Sequence, residues 1–255
     1  MATRGSRYPH PVPLPKGEGR GARFFVTGTD TGVGKTQVSR ALLSLLADAG
    51  LSPQGFKPYE SGCSSLSAPS DALSLREAAR SELPLDLVCP HRFRAPLAPG
   101  IAARRLGREP DWNTTLAAWE QLRHGSVVVE GAGGLFVPLD SSHDVIDLIS
   151  TLRLPVLLVA RAGLGTLNHT ALSLEALAAR NIPVAAVLLS RSTPSRDPSE
   201  RDNPALISER HGVQVLGPVP YLVEPRRRHA AFRKALAPLV ARWLSSEGTK
   251  RARGR

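Results

Sequence analysis

The sequence predicts a single-domain α/β fold: a doubly wound, mostly parallel sheet with helices on both faces. Three observations carry this. Short β-type runs alternate with helical stretches over residues 23–244, the pattern of repeated βα units. Several runs, such as residues 127–129 and 156–160, are continuously apolar, as parallel strands buried on both faces are. The first run enters a glycine-rich turn that ends Gly34-Lys35-Thr36 and opens a helix, the layout of a phosphate-binding loop.

Residues 24–27 form the first predicted strand. In the turn after it, five residues (Thr29 to Val33) separate Gly28 from Gly34, one more than in the common G-x-x-x-x-G-K-[ST] spacing. Backbone N–H groups of Thr31, Gly32, Val33 and Gly34 suit phosphate oxygens, and the helix N-terminus adds partial positive charge. Lys35 belongs against the β/γ-phosphates, and the Thr36 hydroxyl on Mg²⁺. The helix at 36–49 shows its apolar face as Ala41, Leu42, Leu43, Leu45 and Leu46. The second strand, 54–57, ends on Lys57, a lysine placed to reach the cleft beside the phosphates. Pro58 and Gly62 bracket a rigid turn that presents Ser61. Helix 71–80 follows Pro69, with Ser70 or Asp71 read as its cap.

Helix 114–123 leads to a buried strand, 127–130, that ends on Glu130 before Gly131-Ala132-Gly133-Gly134. An acid there has the position of a metal-associated carboxylate, and Thr36, Asp71 and Glu130 form a hard oxygen set suited to Mg²⁺. Helix 145–152 and strand 156–160 follow. The next segment, Arg161 to His169, is a second glycine turn opening a helix (166–179), with N–H groups suited to a carboxylate or phosphate. His169 reads as a structural hydrogen-bonding histidine, and the other six histidines lack metal-ligand spacing. Strand 185–189 comes next. Residues 192–204 are polar and proline-containing and read as a long surface loop. Strand 213–219 and helix 230–243 complete the domain.

With 255 residues, 42% of them hydrophobic, the chain can bury a large core. No apolar run approaches the ~20 residues of a membrane span. The first residues lack the apolar core of a secretory signal, and Cys63 and Cys89 form neither metal spacing nor a disulfide framework. A cytoplasmic location is the expectation. The net charge of +11 is concentrated in two tails, 1–22 and 245–255, each carrying +3. Both are Gly- and Arg-rich, the first also Pro-rich, and read as disordered and solvated. No nucleic-acid motif lies between them, so a nucleic-acid partner is not expected.

Taken together, Gly28-Thr29-Asp30-Thr31-Gly32-Val33-Gly34-Lys35-Thr36, Lys57-Pro58-Tyr59-Glu60-Ser61-Gly62, Ser70-Asp71-Ala72, Glu130-Gly131-Ala132-Gly133-Gly134 and Gly163-Leu164-Gly165-Thr166-Leu167-Asn168-His169 resemble the ordered motifs of the dethiobiotin synthetases. The resemblance covers residues 24–222, and the five-residue P-loop spacing is a family trait. It implies a reaction of 7,8-diaminopelargonic acid with CO₂, ATP and Mg²⁺. One amine captures CO₂ as a carbamate, ATP phosphorylates it, and the second amine closes a cyclic urea. It implies Lys35 and Lys57 as catalytic cations and Thr36, Asp71 and Glu130 as metal ligands. Residues 31–36, 71, 130–133, Ser190, Pro220, Tyr221 and Leu222 are the implied nucleotide contacts. Thr29, Ser61, Gly165, Thr166 and Asn168 are the implied substrate contacts, with the last three receiving a distant carboxylate across a homodimer interface.

Two places depart from the family pattern. Ser190 stands where members often carry Asn, and a serine cannot pair bidentately with the edge of adenine. Gly32 stands where some members carry Glu, so that acid is not required for the chemistry. Three other readings fit less well. A partition or septum-positioning switch ATPase carries an early Lys-Gly-Gly in its P-loop, where Thr29-Asp30-Thr31 stands here. A cobyrinate-type amide synthetase needs a nucleophilic Cys, and neither Cys63 nor Cys89 lies in such a turn. A basic nucleic-acid-binding ATPase rests on the tails alone.

Overall fold

A computed structural model describes residues 21–253, with side chains through residue 245. The first 20 residues of the predicted N-terminal tail lie outside the described residues. Six strands form one sheet in the order β2-β5-β1-β6-β7-β8, with every pairing parallel. They are β1 (Arg23–Gly28), β2 (Gln54–Phe56), β5 (Val127–Glu130), β6 (Val156–Arg161), β7 (Val184–Ser190) and β8 (Val215–Val219). The strand order reverses at β1, so its carboxyl end is a topological switch point, where ligands of such sheets bind. Two three-residue strands, β3 (Tyr59–Ser61) and β4 (His91–Phe93), pair in parallel outside the main sheet.

Strand alternation sends successive side chains to opposite faces, and the core divides accordingly. Phe24, Val26, Val128, Leu157 and Leu188 pack on one face against α1 (Lys35–Asp48), α2 (Ser70–Ala79) and α9 (Pro225–Arg253), through Leu42, Leu75 and Leu236. Phe25, Val127, Val129, Leu158 and Val187 face α5 (Trp112–Leu122), α6 (Val145–Leu152), α7 (Thr166–Ala179) and α8 (Asn203–His211), through Trp119, Ile149, Leu177 and Ile207. Local signals set the helix ends. Asp111 accepts the Asn113 N–H at 3.0 Å to start α5. Asp144 and Asp147 form a reciprocal capping box on α6, which satisfies two otherwise orphaned donors. Short helices α3 (Leu85–Val88) and α4 (Pro99–Arg104) complete the set. Among the described residues, no helix is long and apolar enough to cross a membrane.

Several local expectations change. The stretch 192–204 is not uniformly loop: it contains a 3₁₀ turn, Pro198–Arg201, and α8 begins at Asn203. Strand β8 starts at Val215, two residues late, and α9 starts at Pro225, five residues early. Helix α9 also continues to Arg253, into the stretch read from sequence as a basic tail. Neither Ser70 nor Asp71 caps α2. Pro69 occupies the N-cap position and no side-chain bond comes from within the turn. The cap comes instead from Glu60, as described below.

Candidate nucleotide and phosphoryl-transfer site

The P-loop leaves β1 at Gly28 and ends at Gly34, whose φ of +102° is a left-handed conformation that favours glycine. A Cβ there would also stand 3.3 Å from Ser190 Oγ and 3.5 Å from Phe232 Cζ. This tight approach joins the loop to the end of β7 and to α9. Lys35 is the first residue of α1 and is buried. Its Nζ donates to the Asp30 carbonyl at 2.9 Å. Burial, then repulsion from Lys57, pulls its pKa down to about 8, against an opposing pull from Glu130. The Asp30 carboxylate in turn accepts the Thr31 N–H at 2.7 Å and pairs with Arg161 at the end of β6.

Glu130, fully buried at the end of β5, is the centre of the site. Its Oε1 accepts from Lys57 Nζ at 2.6 Å and from Thr36 Oγ1 at 2.9 Å. Lys57 Nζ also donates to the Gly131 carbonyl at 3.2 Å and lies 3.5 Å from Asp71 Oδ2. Burial pulls the Lys57 ammonium down, but Glu130 and Asp71 more than reverse this and hold it above its ordinary value. It is a resident cation. Asp71 is delivered by Glu60, whose buried carboxylate accepts the N–H groups of Asp71 at 3.0 Å and Ala72 at 2.8 Å. This caps α2 from a strand eleven residues earlier. Capping by a carboxylate also answers the positive end of the helix dipole.

The donors here are a hydroxyl and two carboxylates, and Glu130 Oε2 is buried without a partner. That is the hard-oxygen chemistry a Mg²⁺ ion takes. Among the described residues, no group of three or more His, Cys, Asp or Glu is placed to hold a metal by itself. Phosphate and water oxygens would therefore complete the shell.

The remaining predicted residues lie in the P-loop, on the small sheet, at the ends of β5 and β7, after β8 and at the start of α7. Gly131, Ala132 and Gly133 lie beside the P-loop, since a Cβ on Gly133 would come 3.6 Å from Thr31 Oγ1. Ser190 is buried against Gly34. Register with Val219 puts Pro220, Tyr221 and Leu222 next to the β7 end. Thr29 Oγ1 and Ser61 Oγ are buried without partners. Ser61 ends β3 and so comes from the small sheet. Gly165 opens α7 at φ +90°, Thr166 is buried with its hydroxyl on Thr170, and Asn168 is exposed. Cys63 and Cys89 are buried free thiols pushed up by burial, the reverse of a nucleophile.

Sequence reasoning missed Glu60, Arg161, Asp197 and Glu200. For Asp197 a signal existed: Asp-Pro-Ser is a helix-start pattern. Glu60 offers none, because its partners are the backbone of a different element.

Fold and site define a P-loop nucleotide-binding α/β protein with a buried lysine–carboxylate centre. A family model described as an AAA domain matches residues 22–226. The ATP-dependent dethiobiotin synthetase BioD of Anaeromyxobacter dehalogenans (strain 2CP-C) is 49% identical over 85% of this chain and 98% of its own length. The enzyme of the same name from Bacillus subtilis (strain 168) is 38% identical over 78% of this chain and 87% of its own. A solved signal recognition particle receptor FtsY from Elizabethkingia anophelis, in complex with GDP, is 16% identical, with a TM-score of 0.49 over 89% of this chain and 68% of that one. The chain belongs to the ATP-dependent dethiobiotin synthetase family.

Proposed function

We propose that the chain catalyses ATP- and Mg²⁺-dependent ring closure of 7,8-diaminopelargonic acid with CO₂ to dethiobiotin, a step of biotin biosynthesis in the cytoplasm. The observation that carries this reading is the Lys57–Glu130–Thr36 centre beside a P-loop lysine. Such a site must bring a carbamate and a triphosphate together despite their like charge. Lys57, held protonated, supplies a fixed positive charge for the carbamate. Lys35 supplies another for the β/γ-phosphates. Both act by position and electrostatics, as phosphoryl transfer requires.

The backbone of residues 31–36 cradles the phosphates, with residues 130–133 alongside. Thr36, Asp71 and Glu130 would hold Mg²⁺, which adds positive charge on the phosphate oxygens when bound. Ser190 and Pro220–Leu222 border the base. Thr29 and Ser61 direct their unpartnered hydroxyls at the reacting end of the substrate. One substrate amine takes CO₂ to form a carbamate, and its oxygen receives the γ-phosphoryl group to give a carbamic–phosphoric anhydride and ADP. The second amine attacks the carbamate carbon and phosphate leaves, closing the urea. Gly165, Thr166 and Asn168 receive the distant carboxylate at a homodimer interface. This last role is supported by the positive end of the α7 helix dipole, which favours an anion.

The deciding experiment is phosphate release from MgATP and bicarbonate, with and without the diamine. Diamine-dependent release with a cyclic urea product establishes the reading. Release indifferent to the diamine replaces it with a switch-type ATPase.

A further inference from the structure

Residues 192–204, read from sequence as loop, are tied to both ends of the cleft. Asp197 Oδ2 accepts the Leu164 N–H at 3.0 Å, inside the glycine turn before α7. The fit is close: a Cβ on Gly163 would stand 3.0 Å from both Asp197 Cβ and Oδ2. Asp197 Oδ1 is taken by Ser199 N at 2.9 Å and Ser199 Oγ at 2.7 Å, which fixes the carboxylate plane. Asn203, buried at the start of α8, donates from Nδ2 to the Ala162 carbonyl at 2.8 Å and to Ser199 Oγ at 3.2 Å. On the other side, Glu200 is buried and accepts Arg191 Nε at 3.0 and 3.1 Å, with a further bond from the guanidinium terminus. Arg191 directly follows Ser190, and its N–H donates to Val219 at 2.9 Å. The ring closes through Ala162 N on the Ser190 carbonyl at 2.9 Å.

A solvent-exposed loop has no need of two buried polar side chains aimed back at strand ends. Buried Glu and Asn are retained where they are fully bonded. We propose that Asp197 and Glu200 are positioning residues: Asp197 sets the Gly163–Gly165 turn that takes the substrate carboxylate, and Glu200, through Arg191, sets the β7 end that borders the nucleotide base. The 192–204 segment is then a strap joining the two binding pockets. The kinetic part rests on the function proposed above; the strap geometry does not.

Asp197→Ala removes the acceptor for Leu164 N. The KM for the diamino acid should rise about tenfold, with kcat within about twofold and nucleotide affinity unchanged, as expected for one charge-assisted hydrogen bond lost outside the chemical step. Asp197→Asn keeps an acceptor and should rescue most of that rise; it also serves if the alanine variant does not fold. Glu200→Gln should instead weaken ADP binding about fivefold and leave the diamine KM unchanged. Amide exchange at Leu164, followed by NMR in full-length protein without substrate, should accelerate in Asp197→Ala and not in Glu200→Gln. An unchanged diamine KM in folded Asp197→Ala, KM values that rise together in both variants, or unaltered Leu164 exchange would each overturn the proposal. If the wild-type protein shows no diamine-dependent turnover, the proposed function fails. Leu164 exchange and ADP affinity still decide the strap.

Discussion

Lys35 and Lys57 repel one another across the site, yet their environments set them apart. Lys57 has a carboxylate at 2.6 Å and a second at 3.5 Å. Among the described residues, Lys35 has only a backbone carbonyl within hydrogen-bond distance, and its lowered pKa of about 8 has a definite sign. Between about pH 8 and the ordinary lysine value the unfolded chain binds more protons, so the folded state gains stability as pH rises through that window. At pH 7 the buried charge is a cost, which bound phosphate would offset. Lys35→Met should therefore abolish turnover yet raise the apo-protein's Tm at pH 7, and wild-type nucleotide affinity should fall above pH 8. Calorimetric titration in buffers of different ionisation enthalpy should show proton uptake on binding above that pH. Lys57 behaves in the opposite way. Its raised pKa means that its pairing is fully present below the ordinary lysine value and is lost only above it. Lys57→Met strands a buried Glu130 and should cost about 3–5 kcal/mol in urea unfolding. Adding Glu130→Gln should restore most of that stability without restoring activity; failure to restore it would mean the pair does not act as a unit.

Helix α2 shows how an element outside the P-loop serves the centre. Its first turn lacks a local side-chain cap, and Glu60 supplies one from β3. Glu60→Ala should cost about 1–2 kcal/mol of stability and loosen Asp71 beside Lys57. The same variant should then need more Mg²⁺ for half-maximal ADP binding, measured by fluorescence titration. Unchanged stability would show that solvent can cap α2 equally well. The element also marks what was legible in the sequence. The buried strands were read within two residues, because continuous apolar runs such as Val127–Val129 need only local pattern. The P-loop, Lys57 and Glu130 were legible because strand ends on such a sheet converge. The small β3–β4 sheet was not: His91-Arg92-Phe93 has no apolar run, and its pairing depends on a chain segment 32 residues away. Glu200 and Asn203 were hidden for a related reason. A polar, proline-containing stretch reads as solvent-facing unless the carbonyl or guanidinium that satisfies its side chains is known.

At the scale of the whole molecule, several exposed apolar side chains gather along α7, apart from scattered ones such as Val223 and Leu106. Leu172, on the outer side of α7, is 58% exposed, and Leu164, just ahead of the helix, is 79% exposed. Phe136, 60% exposed, lies under the Arg180 guanidinium at the far end of the same helix. Single exposed apolar residues are ordinary, but a row of them beside one helix fits an interface. Its first turn is the one assigned above to the substrate carboxylate, with Asn168 exposed between the two leucines. If that row is the homodimer contact, association and substrate binding share residues, and each should strengthen the other. Leu172→Asp puts a charge in the contact while leaving the monomer core untouched, so its effect on unfolding should stay within about 0.5 kcal/mol when extrapolated to the monomer. Sedimentation velocity should show the wild-type protein as a dimer and Leu172→Asp shifted toward monomer. Turnover of the variant should rise with protein concentration, because raising it repopulates the dimer by mass action. The diamine should in turn drive dimerisation of the variant, whereas ADP alone should do so less. A fully active monomer would separate the two roles and place the carboxylate site within one chain.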